Sequence, residues 1–184
     1  MILKTINHEF EVLLYLLRKE AHGRELAKEL KTSLTRIQSI LYNLRQHNVI
    51  DYKIEGKNHV YFIKKNIISK AYILNAENYK LVRLFKKHPL LEPLFRNITK
   101  QYPNLLIILF GSYAKFIAKE DSDIDIYICT NDKKIKDKIK LFYDKLSIKM
   151  GNFNKEDLLI QEIIRNHIII QRGESYYEKL RFFD

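Results

Sequence analysis

Apolar residues recur every three or four positions through the first fifty residues, which is the spacing of one buried helix face. Three such stripes are separated by short polar turns. Asn7 can cap the first helix, and Ser33 or Thr32 can cap the third, because their side-chain oxygens accept from free backbone N–H groups. The predicted helices cover about residues 8–19, 24–30 and 34–46.

The pattern then changes to two β-prone runs around a glycine-containing turn. Residues 49–54 and 59–63 are rich in Val, Ile, Tyr and Phe, and Gly56 lies in the four residues between them. Such a pattern predicts a β-hairpin. Three short helices followed by a hairpin resemble a winged helix-turn-helix domain, over about residues 5–66.

The winged-helix resemblance implies a DNA-binding surface. In such domains the third helix enters the major groove and the hairpin contacts the backbone, so residues 34–46 would be the recognition helix. Arg, Gln, Asn, Ser, Thr and Lys suit bases or phosphates. The alternative is that the module makes protein contacts. The candidate DNA-binding residues are Thr35, Arg36, Gln38, Ser39, Asn43, Lys53 and Lys57.

A helical segment follows the hairpin and ends at Pro103, because proline cannot continue a helix. The pattern therefore predicts three parts. They are a winged helix over residues 1–66, a helical linker over 67–102 and a second domain over 103–184.

Alternating strands and helices fill that second domain. Leu105–Phe110 is an apolar strand that leads directly into Gly111 and Ser112, with a short helix predicted over residues 113–117. A second strand is predicted over residues 122–128. The tail is predicted to form a helix, a short strand and a helix.

Asp123 and Asp125 alternate along the second strand, so both carboxylates are expected on one face. Two adjacent carboxylates repel each other, and a hard cation such as Mg²⁺ relieves that repulsion. Gly111 allows close backbone approach, and the following N–H groups with the Ser112 hydroxyl can hold an anion. An exposed polar strand face is the alternative for the two aspartates alone.

Gly111-Ser112, nine further residues, and Ser122-Asp123-Ile124-Asp125 resemble the signature of polymerase-β-type nucleotidyltransferases, in particular the minimal ones. The resemblance spans about residues 103–172. It implies nucleotide binding by Gly111, Ser112 and Ser122, and a catalytic, metal-binding role for Asp123 and Asp125. Mg²⁺ and a nucleoside triphosphate would be cofactor and substrate. The whole chain is therefore expected to be an α+β protein.

The sequence departs from that family in two places. A glycine usually stands four residues after the serine, where this chain has Phe116. Family members that catalyse usually have a third carboxylate on the next strand, predicted here at residues 146–150, which holds no acid. Asp144, Glu156 and Asp157 are the nearest acids in the sequence.

The charge of the chain predicts a nucleic-acid partner, and its composition excludes other classes of protein. The net charge is +11, of which +10 lies in residues 1–100, and a basic half suits a polyanion. The single cysteine, Cys129, excludes a disulfide framework, and the absence of a signal peptide and of long apolar runs predicts a cytoplasmic protein without a membrane partner.

Two functions from different classes follow. One is a Mg²⁺-dependent nucleotidyltransferase coupled to DNA binding, whose hydroxyl acceptor can belong to a partner toxin, because minimal transferases are often paired with a helical HEPN-like protein. The other is a non-catalytic DNA-binding regulator whose transferase-like domain only binds a nucleotide or a partner. A homodimer is the common state of winged-helix proteins that read palindromes.

Overall fold

A computed structural model of the chain describes residues 6–141 and 143–184. The chain divides into two compact units, one up to Ala76 together with Phe183 and Asp184, the other Glu77–Phe182. This division differs from the predicted boundaries at residues 66 and 102. The reason is that most of the segment expected to be a linker packs into one or the other core.

The first unit has the helices and hairpin of a winged helix. Asn7 and Ser33 cap the first and third helices as predicted. A two-residue strand, Ala21–His22, also pairs with the second hairpin strand, Asn58–Ile63, so that this strand lies in the middle of a three-stranded antiparallel sheet. The apolar stripes face inward, with Leu13, Leu26 and Ile37 fully buried. The elements are α1 (His8–Leu16), β1 (Ala21–His22), α2 (Gly23–Glu29), α3 (Leu34–Gln46), β2 (Ile50–Glu55) and β3 (Asn58–Ile63).

Two helices follow the hairpin, α4 (Ile67–Lys87) and α5 (Leu91–Gln101). The N-terminal part of α4 belongs to the first unit, where the buried Ser69 hydroxyl donates to the Val49 carbonyl at 2.7 Å. The rest of α4 and all of α5 belong to the second unit, where Leu84 and Phe95 are buried in its core. Within the described residues, no helix has the length and apolarity that a membrane span requires.

The second unit contains a four-stranded mixed sheet in the order β6 (Leu146–Met150), β5 (Ile124–Ile128), β4 (Ile107–Leu109) and β7 (Ile168–Gln171). Strands β5 and β6 are parallel and the other two pairs are antiparallel. The predicted α+β class is confirmed, although the first strand is shorter than expected. The elements are β4 (Ile107–Leu109), α6 (Gly111–Ala114), β5 (Ile124–Ile128), α7 (Lys133–Lys140), β6 (Leu146–Met150), α8 (Leu158–Arg165), β7 (Ile168–Gln171) and α9 (Gly173–Leu180).

Alternation along β5 separates an apolar face from the face that holds the candidate chemistry. Ile124, Ile126 and Ile128 are fully buried in one core cluster of the second unit. Side chains of a strand point alternately to opposite faces, so Asp125 and Tyr127 lie on the other face. The burial of this isoleucine row fixes the register of β5, because a shift by one residue would place Asp125 in the core.

A buried charged cluster lies elsewhere in the second unit. Glu77, with 3% of its side chain exposed, is 2.6 Å from the Lys80 ammonium and accepts a hydrogen bond from the Tyr177 hydroxyl at 2.9 Å. His167 Nε2 lies 3.5 Å from the same carboxylate. Burial raises the pKa of Glu77, but Lys80 and His167 outweigh it and hold the pKa at about 2. Burial, followed by Lys80, lowers the pKa of His167.

We expect this cluster to make stability fall in acid. The folded protein holds His167 neutral below its ordinary pKa of 6.5, while the unfolded chain takes up a proton there. Stability is therefore fully present above pH 6.5 and declines below it, by up to about 1.4 kcal/mol per pH unit. Glu77 adds a second decline between its ordinary pKa of 4.5 and about 2.

The measurement is the free energy of unfolding in urea between pH 7.5 and 5, for the wild type and His167→Asn. The variant should have the smaller slope, whatever its absolute stability. His88, whose pKa burial also lowers, is retained in both proteins and supplies the remaining slope. Equal slopes for the two proteins would contradict the assignment to His167.

Candidate functional site

The turn at Gly111 packs directly against the carboxylate of Asp125. Gly111 follows β4 and begins α6 with a φ of +68°, a region that side chains rarely adopt. A Cβ added there would lie 2.4 Å from Asp125 Oδ2. The Phe110 N–H donates to the Asp125 carbonyl at 2.9 Å, which holds the two strands together at this point. Only glycine therefore fits between β4 and this carboxylate.

The two aspartates lie at the start of β5. Asp123 is exposed and immediately precedes the strand, and Asp125 is half-buried within it. Neither carboxylate has an ion-pair partner among residues 6–141 and 143–184. Two uncompensated carboxylates at i and i+2 are the donor set that a hard cation prefers, and Mg²⁺ commonly binds one or two of them with substrate phosphates. The residues present thus fit Mg²⁺ together with a nucleotide.

The two predicted serines have different surroundings. The Ser112 carbonyl accepts from the Ile117 N–H at 3.0 Å, while its hydroxyl has no hydrogen-bond partner in the described part of the chain. The Ser122 hydroxyl oxygen accepts from the Lys119 N–H at 2.9 Å and closes the turn before β5. Ser112 therefore offers a hydroxyl to a ligand, whereas the Ser122 oxygen already holds the loop. Nucleotide contact by either serine stays a prediction.

The register of β6 identifies the residue where the third carboxylate was expected. Ser147 is the partner of Asp125, and Lys149 is the partner of Tyr127. Aligned residues of paired strands share a face. A hydroxyl group therefore lies beside Asp125, where the family resemblance predicted a carboxylate. Of the described residues, no group of three or more His, Cys, Asp or Glu side chains is placed to hold a metal.

The three acids nearest to β6 in the sequence do not lie at the register position of Ser147. Asp144 lines a pocket of about 400 Å³ with Leu141, Tyr143 and Lys145. The Lys145 carbonyl accepts from the Ile124 N–H at 2.8 Å, so this pocket borders the start of β5. Glu156 and Asp157 are both exposed and precede α8. The loop that carries Glu156 and Asp157 is bonded to β5 as well, because the Tyr127 hydroxyl donates to the Gly151 carbonyl at 2.8 Å.

Phe116, at the position where a family glycine was expected, has a φ of +58°. It follows the last residues of α6, and the bonds Phe116 N–H to Tyr113 O and Ile117 N–H to Ser112 O form a Schellman-type end. That end normally takes glycine, because a Cβ there is strained, at a cost of about 1–3 kcal/mol. The left-handed backbone at this position explains why the family usually has glycine there. This chain has phenylalanine instead.

The outer face of α3 presents polar side chains to solvent. The predicted residues Thr35, Arg36, Gln38, Ser39 and Asn43 are all exposed. Tyr42, which is absent from the predicted set, is 61% exposed on the same helix. The helical period places Tyr42 between Ser39 and Gln46, so the same periodicity could have identified it.

The two predicted lysines of the hairpin differ in their ion pairs. Lys53 lies 2.6 Å from Glu20 and 3.1 Å from Glu55, which raise its pKa through hydrogen bonds. Lys57 lies in the turn between β2 and β3 and has no acidic partner among the residues described. Of these two lysines, Lys57 is therefore the one whose charge is available to a polyanion.

An aromatic stack that sequence reasoning missed lies on the same hairpin. The His59 ring stacks on Tyr52 with centroids 4.0 Å apart, and the Arg45 guanidinium lies 4.4 Å from the Tyr52 centroid. Stacking of this kind fixes the direction of Arg45 at the end of α3. No sequence signal pairs these three residues, because they come from different elements.

Comparison with known proteins supports the chemistry of the second unit. Residues 95–177 match the family model described as polymerase beta, nucleotidyltransferase. The matched segment contains Gly111, Ser112 and both aspartates. It begins within α5, which agrees with the packing of that helix against the sheet. No curated protein matches the chain.

Two solved structures are similar to part of the chain. One is the adhesin competence repressor AdcR from Streptococcus pyogenes, with 15% identity over 49% of this chain and 68% of that chain, and a TM-score of 0.41. The other is a mutant of Lactococcus lactis ZitR, with 11% identity over 55% of this chain and 65% of that chain, and a TM-score of 0.35. The winged-helix description rests on the helices and hairpin themselves.

We expect Gly111→Ala to be more destabilising than Gly56→Ala. Both glycines have nearly the same φ, +68° and +61°, but a Cβ at Gly56 has nothing within 4 Å. Gly56→Ala should lose about 1–2 kcal/mol from backbone strain alone. Gly111→Ala should lose about 1–3 kcal/mol more, because its Cβ would have to displace the Asp125 carboxylate.

The measurement is urea denaturation of the two variants and the wild type, followed by a Gly111→Ala, Asp125→Ala double variant. Removing the carboxylate should relieve part of the Gly111→Ala cost but none of the Gly56→Ala cost. Equal losses in the free energy of unfolding for the two single variants would show that the contact with Asp125 does not contribute to the cost of Gly111→Ala.

Proposed function

We propose that the second unit is a nucleotidyltransferase that moves a nucleoside monophosphate from a triphosphate to a hydroxyl acceptor, and that the first unit binds DNA. The observation that carries the proposal is the glycine-only contact between the Gly111 turn and Asp125. It brings a nucleotide-binding backbone beside a carboxylate free of ion pairs. The match of residues 95–177 to the nucleotidyltransferase family model supports the same chemistry.

The proposed roles follow from the surroundings of each residue. Backbone N–H groups at Gly111 and Ser112, with the Ser112 hydroxyl, would bind and orient the triphosphate. Asp123 and Asp125 would hold Mg²⁺. Mg²⁺ bound there supplies charge stabilisation of the α-phosphate and of the leaving pyrophosphate. The acceptor, which can be a side chain of a partner toxin, is a prediction from the family resemblance.

A second candidate function is supported by Ser147. A hydroxyl in place of the third acid removes the residue that would ligate a second metal or take the acceptor proton. The unit would then bind a nucleotide without turnover, as part of a DNA-binding regulator. The Ser147 position therefore decides between a transferase and a sensor.

We expect the wild type to transfer label from an α-labelled nucleoside triphosphate with Mg²⁺ to an acceptor in cell extract. The Asp123→Asn, Asp125→Asn variant should lose at least about 100-fold of that rate, because removal of one charge-stabilising group commonly costs that much. The measurement is labelled product over time, for each of the four triphosphates.

Ser147→Asp is the matched variant for this experiment. If the missing acid limits a real transferase, it should raise the rate by about 10- to 100-fold. Label transfer that survives the double aspartate variant would contradict the assignment of the site. Nucleotide binding without transfer by the wild type, with transfer gained by Ser147→Asp, would favour the regulator.

We expect Lys57→Ala to weaken DNA binding and to lower the salt slope by about 1, because one phosphate contact is lost. Lys53→Ala is the matched control, since Glu20 and Glu55 already neutralise that lysine. The measurement is fluorescence anisotropy on a random-sequence duplex from 50 to 200 mM salt. Equal loss in both variants, or no binding at low salt by the wild type, would contradict the proposed surface.

A further inference from the structure

Phe116 occupies a strained backbone position and closes the turn that holds Ser112. Its φ of +58° ends α6, and the Ile117 N–H then reaches the Ser112 carbonyl at 3.0 Å. The conformation of Phe116 therefore determines where the Ser112 backbone lies. A glycine would adopt this conformation without strain, so an unassisted phenylalanine should tend to open the turn.

Two cations from α4 contact Phe116. The Arg83 guanidinium lies 4.9 Å from the ring centroid, within the range of a cation–π contact. The Lys87 ammonium donates a hydrogen bond to the Phe116 carbonyl and lies 6.0 Å from the ring centroid. One contact thus holds the side chain and the other holds the backbone of the strained residue. We call these three residues the Phe116 clamp.

We propose that the Phe116 clamp positions the nucleotide-binding turn, so that Arg83 and Lys87 act on the nucleotide site through Phe116 without touching the nucleotide. This inference rests on the proposed function of Gly111 and Ser112. A glycine at residue 116 would need no clamp. The phenylalanine instead makes the turn depend on α4.

The clamp explains three observations with one cause. A bulky residue occupies a left-handed position, its carbonyl is bonded to a lysine one helix away, and its ring lies beneath an arginine. Ordinary core packing would explain the ring alone. It would not explain why both the carbonyl and the ring of the same strained residue are held by cations from one helix.

The test is a double-mutant cycle on the full-length chain, read by hydrogen exchange of the Ile117 amide. Arg83→Gln should raise its exchange rate about threefold, the value of a cation–π contact at a partly exposed site. In the Phe116→Gly background Arg83→Gln should have no effect, because no ring remains to hold. Lys87→Gln should also raise the rate, and Lys86→Gln, one residue away on α4, should not.

The second measurement is the dissociation constant of Mg-ATP for the same proteins. The dissociation constant should rise about threefold in Arg83→Gln. It should be close to the wild-type value in the Phe116→Gly, Arg83→Gln double variant and in the conservative variant Arg83→Lys. General destabilisation would not be reversed by Phe116→Gly, which distinguishes positioning from a merely structural role.

The outcomes separate the two proposals. No effect of Arg83→Gln on Ile117, or the same effect with and without Phe116, would overturn the clamp. The expected exchange rates with unchanged Mg-ATP affinity would overturn its positioning role. If the wild type binds neither Mg-ATP nor the other triphosphates while the exchange cycle behaves as expected, the proposed function fails and with it the role of the clamp in nucleotide binding.

Discussion

The second unit depends on the contact between the Gly111 backbone and the Asp125 carboxylate. The buried isoleucines of β5 fix the register of the strand, and the register places Asp125 on the opposite face, next to the end of β4. The chain must leave β4 without a side chain at that point, because any Cβ would meet the carboxylate. Core packing, backbone conformation and an unpaired carboxylate thus meet at one position, where each restricts the others.

The same register also explains what the site lacks. Because β5 and β6 are parallel and paired in register, the partner of Asp125 on β6 can be identified directly. That partner is Ser147. Under the proposed function, two carboxylates and a hydroxyl would bind Mg²⁺ with a nucleotide, and the site would lack the base that a third acid supplies. The choice between turnover and binding is therefore a matter of one side chain on one strand, not of the fold.

Much of this architecture could be predicted from periodicity and a short motif. Helical stripes, the hairpin around Gly56 and the Gly-Ser turn are local signals, and the α+β class follows from them. The partners of Phe116, the stack of Arg45 on Tyr52 and the buried ion cluster around Glu77 could not be predicted, because each joins residues far apart in sequence. The division at residue 76 could not be predicted for the same reason, since long-range packing assigns α5 to the core of the second unit.

The distribution of paired and unpaired charge separates structural from functional residues. Glu77 is buried, its charge is compensated by Lys80, and it accepts a hydrogen bond from Tyr177, as a buried carboxylate requires if the fold is to tolerate it. Asp123 and Asp125 have no such compensation within the described residues, and neither does Lys57, whereas Lys53 is neutralised twice. Adjacent carboxylates repel each other and add nothing to folding unless a cation joins them. The absence of a counter-charge at this pair therefore supports the proposal that a cationic ligand binds there.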